Sequence, residues 1–500
     1  MSLSEKISPW RIWSFFSFIL IFLGMSLLFI AYLQHRNWVD ENGYWYISKD
    51  SSLALRLPVW QLLLTKKNQE KPNISHLRKK YETYTYSTQE KTAPKKNKIT
   101  QQKQVIQKNS HNNDSLTENQ STQIQFSGKQ MQALEVFFSS LQNLENQNKK
   151  ELIRIIHYGD SQLEGDRISS QLRRQLQSIF GGCGTGINPA HNLHNEKLTL
   201  LQENDDKWQI YTILSLQKKR PPHSYFGILG KYFQITDTSA FVSFRPSKKA
   251  NQTEKTLENI KILYKNSTNK ATLNINDGKN EEKYDLTAQQ NFQILSIPLQ
   301  SPFEKLTLNF SVSPNFDLYG IALDCPSGIA VDNAPLRGSA GLEFEKINFM
   351  HLKEQYKQLN TKLIILQFGV NVDLRGANFN FYENLFYKQL LLLKKAAPEA
   401  SILVVGTSDR AYKNLDEYNS YPNLPLLRDA QRRAAFRAGC AFWDLYAAMG
   451  GQNSMAVWVK ENLAGKDYTH FKIEGANLVG NMLFEALMQA YEAYKQNRIK

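Results

Sequence analysis

Leu152-Ile153-Arg154-Ile155-Ile156-His157-Tyr158-Gly159-Asp160-Ser161 decides the fold. Leu152 to Ile156 reads as a buried strand, apolar but for Arg154. It ends in a turn, His157-Tyr-Gly-Asp-Ser161. A helix starts near Glu164, with Ile168, Leu172, Leu176 and Ile179 on one face, and Gly181, Gly182, Gly184 and Gly186 end it. This is strand, turn, helix, with a serine at the strand's carboxyl end. Open α/β sheets place ligands at that edge.

The same texture extends outward. Upstream, Leu134, Phe137, Phe138, Leu141 and Leu144 recur at helical spacing. Downstream, Leu363 to Phe368 and Ile402 to Val405 are strands ending at Gly369-Val-Asn371 and Gly406-Thr-Ser408. Ala441 to Leu445 is a short strand, and a helix from about Gly475 to Lys495 closes the chain. Strands alternating with helices imply a parallel sheet covered by helices. Between about 201 and 324 the pattern changes. Ile260, Ile262 and Tyr264 alternate with polar residues, as do Leu306, Leu308 and Phe310. Short strands without helices predict a β-sandwich, inserted into the α/β domain.

The N-terminus predicts a different environment. Ile12 to Leu33 is an uncharged run of 22 residues, the length a bilayer core requires. Lys6 and Arg11 precede it, so the N-terminus is expected inside and the remainder outside the cytoplasmic membrane. The exit at Ala31-Tyr-Leu-Gln34 lacks a clear signal-peptidase site, which favours an uncleaved anchor. Residues 37–125 read as a polar basic stalk. The chain carries a net charge of +15. Twelve Lys/Arg against three Glu between Lys66 and Lys108 place most of that excess in this stretch. A block of this kind is a solvated segment, and no nucleic-acid partner is expected. The domain boundaries expected are 1–36 for cytoplasmic tip and anchor, 37–125 for stalk, 126–200 with 325–500 for the α/β domain, and 201–324 for the insert.

Three cysteines, Cys183, Cys325 and Cys440, have neither disulfide-framework nor zinc spacing. A Cys183–Cys325 bridge is compatible with export. His191 and His194 sit three apart but lack a carboxylate or cysteine cluster, and read as a solvated loop. No metal or cofactor is expected.

A serine hydroxyl becomes a nucleophile only when a base takes its proton. Asp467-Tyr-Thr-His470 supplies a carboxylate and an imidazole within one turn of chain. Asp467 can orient Nδ1 and leave Nε2 for Ser161. The Gly-x-Ser-x-Gly elbow of α/β-hydrolases is absent. Acyl transfer also needs oxyanion donors. The expected set is the amides of Ser161 and Gly338 and the side-chain amide of Asn371. If the strands are parallel, all three lie at one sheet edge.

Gly159-Asp-Ser161, Gly338, Gly369-x-Asn371 and Asp467-x-x-His470 resemble the four blocks of the SGNH/GDSL hydrolase superfamily, in the family's order. The resemblance covers about 131–200 and 325–500. It implies a three-layer α/β/α fold and a Ser161–His470–Asp467 triad. The first block reads Gly-Asp-Ser-Gln, without the leucine of the family's name. The Phe180-Gly-Gly-Cys-Gly-Thr-Gly run and the β-rich insert resemble the two-domain peptidoglycan O-acetylesterases, whose insert is like a carbohydrate-binding module. That implies an O-acetylated cell-envelope glycan as substrate, with Trp208, Tyr264 and Phe292 as the insert's candidate rings or as core. Two alternatives stay open on sequence. One is a membrane-anchored glycan O-acetyltransferase with the same triad; the other is an inactive glycan-binding wall protein.

Overall fold

The computed structural model describes residues 122–499 apart from 129–130, 148–149, 192–196, 215–219, 268–269, 300–302, 313–315, 376–378 and 415–416, together with 71–77, 79–81 and a few positions before residue 70. The apolar run from Ile12 to Leu33 lies almost wholly outside them, as does His194. Among the described residues no helix is long and apolar enough to cross a membrane. Residues 1–70 form one unit, in which Tyr44–Tyr46 pairs antiparallel with Ala54–Arg56. Residues 71–500 form the other.

The second unit is built on a six-stranded sheet. Its strands are β1 (Ile124–Gln125), β2 (Leu152–Gly159), β3 (Gly328–Pro335), β4 (Thr361–Gln367), β5 (Ser401–Val405) and β6 (Ala441–Trp443). The order is β3-β2-β4-β5-β6-β1, parallel throughout except for β1. Every residue of β2 is buried, as a central parallel strand covered on both faces requires. Ile153 and Ile155 face a core shared with α1 (Glu135–Glu145), α2 (Arg167–Phe180) and the closing helix α6 (Ile473–Ile499). Ile156 and Tyr158 face another, shared with α3 (Phe349–Gln358), α4 (Phe379–Ala396) and α5 (Leu424–Arg437). Each fully buried Leu, Ile or Phe in these layers contributes about 1.5–3 kcal/mol.

The chain between Leu200 and Asp324 forms two five-membered antiparallel layers. One runs Gln289–Pro298, Asn259–Asn266, Phe316–Asp324, Lys231–Ile235, Trp208–Thr212. The other runs Glu281–Asp285, Ala271–Asn276, Leu306–Val312, Ser239–Pro246, Leu200–Asn204. Val242, Phe244, Ile260, Ile262, Leu308 and Phe310 meet in one core between them. Three links fasten this sandwich to the central sheet. Gly186–Asn188 pairs with Phe316–Asp324. Cys183 and Cys325 form a disulfide. Arg154 of β2, fully buried, donates to Asp332 at 2.7 and 2.9 Å and to Asp324 at the sandwich's last strand.

One sequence expectation changes, and one open alternative closes. The 37–125 stretch is not stalk throughout. Helical residues at 75–77 and 79–81 lay Leu77 and Tyr81, with the adjacent Ile74, into the core beneath α6, and Lys80 pairs with Glu485 at 2.8 Å. At the far end of that stretch, β1 extends the sheet, and Trp443 Nε1 donates to Thr122 O. Three apolar side chains at helical spacing were enough to dock a segment that is otherwise polar. Trp208, Tyr264 and Phe292 are core: each is 5% exposed or less, so none offers a platform to a glycan.

Candidate active site

The three parallel strands that matter end side by side. Leu336 N donates to Gly159 O, and Asp160 N to Gln367 O, so the turns after β3, β2 and β4 are in contact. Gly159 has to be glycine: a Cβ there would stand 2.6 Å from Gln367 O. The turn then places Ser161 at the edge, 7% exposed. Its Oγ lies 2.7 Å from His470 Nε2. His470 Nδ1 lies 2.7 Å from Asp467 Oδ2. With Nδ1–H donating to the carboxylate, Nε2 is the nitrogen left to accept from the serine hydroxyl.

The loop 467–470 holds its own shape. Asp467 Oδ1 accepts the N–H groups of Thr469 and His470, both at 3.1 Å. Partial burial pushes the Asp467 carboxyl up. The bonds from the His470 ring and from the two amides outweigh it and hold the carboxyl below its usual range. Asp467 is therefore ionised through neutral pH. The His470 and Asp467 side chains keep 38% and 52% of their exposure, so the site opens to solvent on this side.

The expected oxyanion donors converge on the same edge. Gly338 follows β3 at φ +86°, a conformation that favours glycine. Asn371 follows β4, and its Nδ2 donates to Ser339 O at 3.0 Å, which ties the second block to the third. One of two Nδ2 hydrogens is used there, leaving the other available. Asp160, between them, is fully buried. Its Oδ1 accepts from Gln162 N, and its Oδ2 from Gly369 N and Val370 N, at 3.0–3.2 Å. Burial pushes its carboxyl up to about 6 despite these three N–H bonds.

The fold is shared with a solved peptidoglycan O-acetylesterase. A structure of that enzyme in action matches 74% of this chain and 99% of its own, with a TM-score of 0.61 and 22% identity. Two family two carbohydrate esterases are more distant. The one from Cellvibrio japonicus has 11% identity and a TM-score of 0.21, over 59% of this chain and 98% of its own. The one from Clostridium thermocellum, in complex with cellohexaose, has 8% identity and a TM-score of 0.24, over 50% and 92%. No family model matches the chain, and no curated protein does.

Sequence reasoning missed the side chains that hold these loops. Gln162, 2% exposed, brackets His470: Nε2 donates to Thr469 O at 2.7 Å and Oε1 accepts Phe471 N at 3.1 Å. Arg167 donates to the carbonyls of Ser161, Glu164 and Phe471, so it fastens the serine turn to the histidine loop. Tyr468, at φ +54°, stacks on Tyr418 of the hairpin Ala411–Asn414/Glu417–Ser420, with ring centroids 3.5 Å apart. His157 lies fully buried under the serine turn, between Gln367 Oε1 and Ser169 Oγ, and burial pushes its pKa down to about 3. It is a neutral packing residue, not a second base. Arg337 pairs with Glu164 at 3.3 Å on the rim.

Proposed function

We propose that the chain is a serine esterase of SGNH type that removes acetyl groups from an O-acetylated cell-envelope glycan such as peptidoglycan. The observation that carries this reading is the unbroken chain Ser161 Oγ–His470–Asp467, 2.7 Å at each step, at the carboxyl edge of a parallel sheet. His470 Nε2 takes the Ser161 proton as Oγ attacks the acetyl carbonyl carbon. The oxyanion is met by the amides of Ser161 and Gly338 and by Asn371 Nδ2. His470 returns the proton to the departing sugar oxygen, leaving acetyl-Ser161. His470 next deprotonates a water that attacks this ester, and acetate leaves as Ser161 regains its proton. Asp467 stabilises the imidazolium formed at each stage.

The substrate class draws support from the shared fold with an enzyme named for that activity, and from a triad open to solvent, which suits a polymer. Extracytoplasmic placement with a single N-terminal anchor at Ile12 to Leu33 draws support from that apolar run and from the disulfide, which belongs to an oxidising compartment. The test adds the full chain in mild detergent, beside Ser161→Ala, to O-acetylated peptidoglycan and follows free acetate. Release that falls at least about 10⁴-fold in the variant fits a triad nucleophile. Acetate found only on an added glycan acceptor would make the protein a transferase, and no turnover of any acetyl ester would sink the reading.

A further inference from the structure

Arg410 follows β5 and is 9% exposed. Among the described residues no carboxylate forms an ion pair with it. Its Nη1 donates to Val370 O and its Nη2 to Val372 O. The Tyr421 ring lies 5.6 Å from its Cζ, within cation–π range. Val370 and Val372 are the two neighbours of Asn371, so one planar guanidinium brackets the Asn371 backbone.

A buried cation hydrogen-bonded only to neutral carbonyls, with Asp160, Asp409 and Asp373 acting on it from a distance but not paired to it, is a poor device for stability alone. An aliphatic side chain of similar volume would fill the space without desolvating a charge. What arginine adds is direction: two charge-assisted bonds from a rigid fork, at a fixed separation. The same loop is gripped from its other side, where Asp160 takes the Gly369 and Val370 amides. Carbonyls are thus fixed by Arg410 and amides by Asp160, and the residue between is Asn371. Its Nδ2 is in turn joined to Ser339, next to Gly338.

We propose that Arg410 is a positioning residue for the esterase reaction, holding Asn371 where its side-chain amide meets the oxyanion. The proposal rests on the serine-esterase reading above. A group that acts through an oxyanion donor changes kcat and leaves KM nearly alone, because the donor bonds the transition state more strongly than the ester. Its effect also vanishes once Asn371 has lost its amide, whereas loss of general packing would add to that loss.

The test compares wild type, Arg410→Leu, Arg410→Lys, Asn371→Ala, Arg410→Leu/Asn371→Ala and Ser161→Ala as full chains on p-nitrophenyl acetate, with thermal midpoints recorded. Asn371→Ala is expected to lower kcat by about 10²–10³-fold. Arg410→Leu should lower it by about 10–10²-fold, with KM within about twofold. Arg410→Lys, able to reach one carbonyl, should fall between Arg410→Leu and wild type. The double variant should match Asn371→Ala within about threefold. If Arg410→Leu does not fold, Arg410→Lys takes its place in the same cycle. Losses that multiply, a change confined to KM, or an unimpaired Asn371→Ala would each overturn the role of Arg410. Full turnover by Ser161→Ala would instead bring down the esterase reading itself, a result readily told apart from the others.

Discussion

The serine turn and the histidine loop are joined through Ser161 Oγ–His470 Nε2 and through the Gln162 side chain, but they are stabilised in opposite ways. The turn at 159–162 is buried, and its anchor is a carboxylate with three amide donors, Asp160. The loop at 467–470 is half-exposed, and its own carboxylate, Asp467, faces the imidazole and solvent. On the esterase reading proposed above, one carboxylate is structural and the other chemical, although they lie at the same edge. The pKa directions separate them: burial pushes Asp160 up to about 6, whereas hydrogen bonds from the His470 side hold Asp467 down. Position in the fold, and not residue type, assigns the role.

The comparison breaks most sharply at Asp467. Asp467→Asn keeps the size of the side chain but removes the charge that orients Nδ1–H, and kcat is expected to fall about 10⁴-fold. An exposed pair contributes only about 0–1 kcal/mol to stability, so the thermal midpoint should barely move. A large drop in the midpoint would show that the loop is structural after all. Asp160→Asn should instead lower the thermal midpoint clearly, with a fall in kcat no larger than that of Arg410→Leu, since both grip the Asn371 loop. Asn offers one carbonyl oxygen where the carboxylate uses two, and each buried N–H left unpaired costs about 1–3 kcal/mol. The pH dependence of stability is a second test. The Asp160 carboxyl is raised from about 3.9 unfolded to about 6 folded, so the fold favours its protonated form. That contribution is fully present below about pH 4 and is lost as pH rises towards 6. Melting curves from pH 4 to 7 should decline less steeply in Asp160→Asn than in wild type, the remainder belonging to Asp409, which burial also pushes up to about 6.

Next in size is Gln162→Ala, which tests how the two halves are joined. The side chain leaves the buried serine turn and clasps the exposed loop on both sides of His470. Without it, His470 loses its register with Ser161 Oγ. A displacement of about 1 Å can cost about 10²-fold, and a 10–10²-fold fall in kcat for acetate release is expected. Unchanged kcat would mean that Arg167 alone sets the register.

What was legible in the sequence, and what was not, follows the same division. Ser161, Asp467, His470, Gly338 and Asn371 could be singled out because each sits in a short motif whose chemistry is local. The strand ends that gather them could be read from apolar runs closed by Gly and Asn. Gln162 stood in plain view after the serine, yet its role depends on residues some 300 positions away. Arg410 carried no signal, because a buried arginine bonded to carbonyls looks in sequence like any surface arginine. The helical residues at 75–77 and 79–81 were hidden for a related reason. Ile74, Leu77 and Tyr81 share one face, but the lysines and asparagines around them dominate the composition. The disulfide stayed open on sequence, since three cysteines allow three pairings; proximity in the fold selects Cys183–Cys325.

The smallest effect expected lies farthest out on the exposed side. Tyr468 holds a left-handed backbone, φ +54°, which a bulky residue adopts only when its surroundings impose it. Two contacts do so: its ring lies on Tyr418, and its carbonyl accepts Ala411 N at 3.1 Å. Both come from the hairpin that rises after β5, so that hairpin is a brace for the histidine loop. Tyr418→Leu removes the ring contact, worth about 0.5–1.5 kcal/mol, and keeps the backbone bond. Because the loop also has Gln162, Arg167 and the Asp467 turn, only a part of that energy should reach the reacting geometry. A two- to fivefold fall in kcat, about 0.4–1 kcal/mol, is expected at constant KM. A loss as large as that of Gln162→Ala would place the brace and the clasp on an equal footing, and would move the boundary between the rigid and the exposed half out to the hairpin.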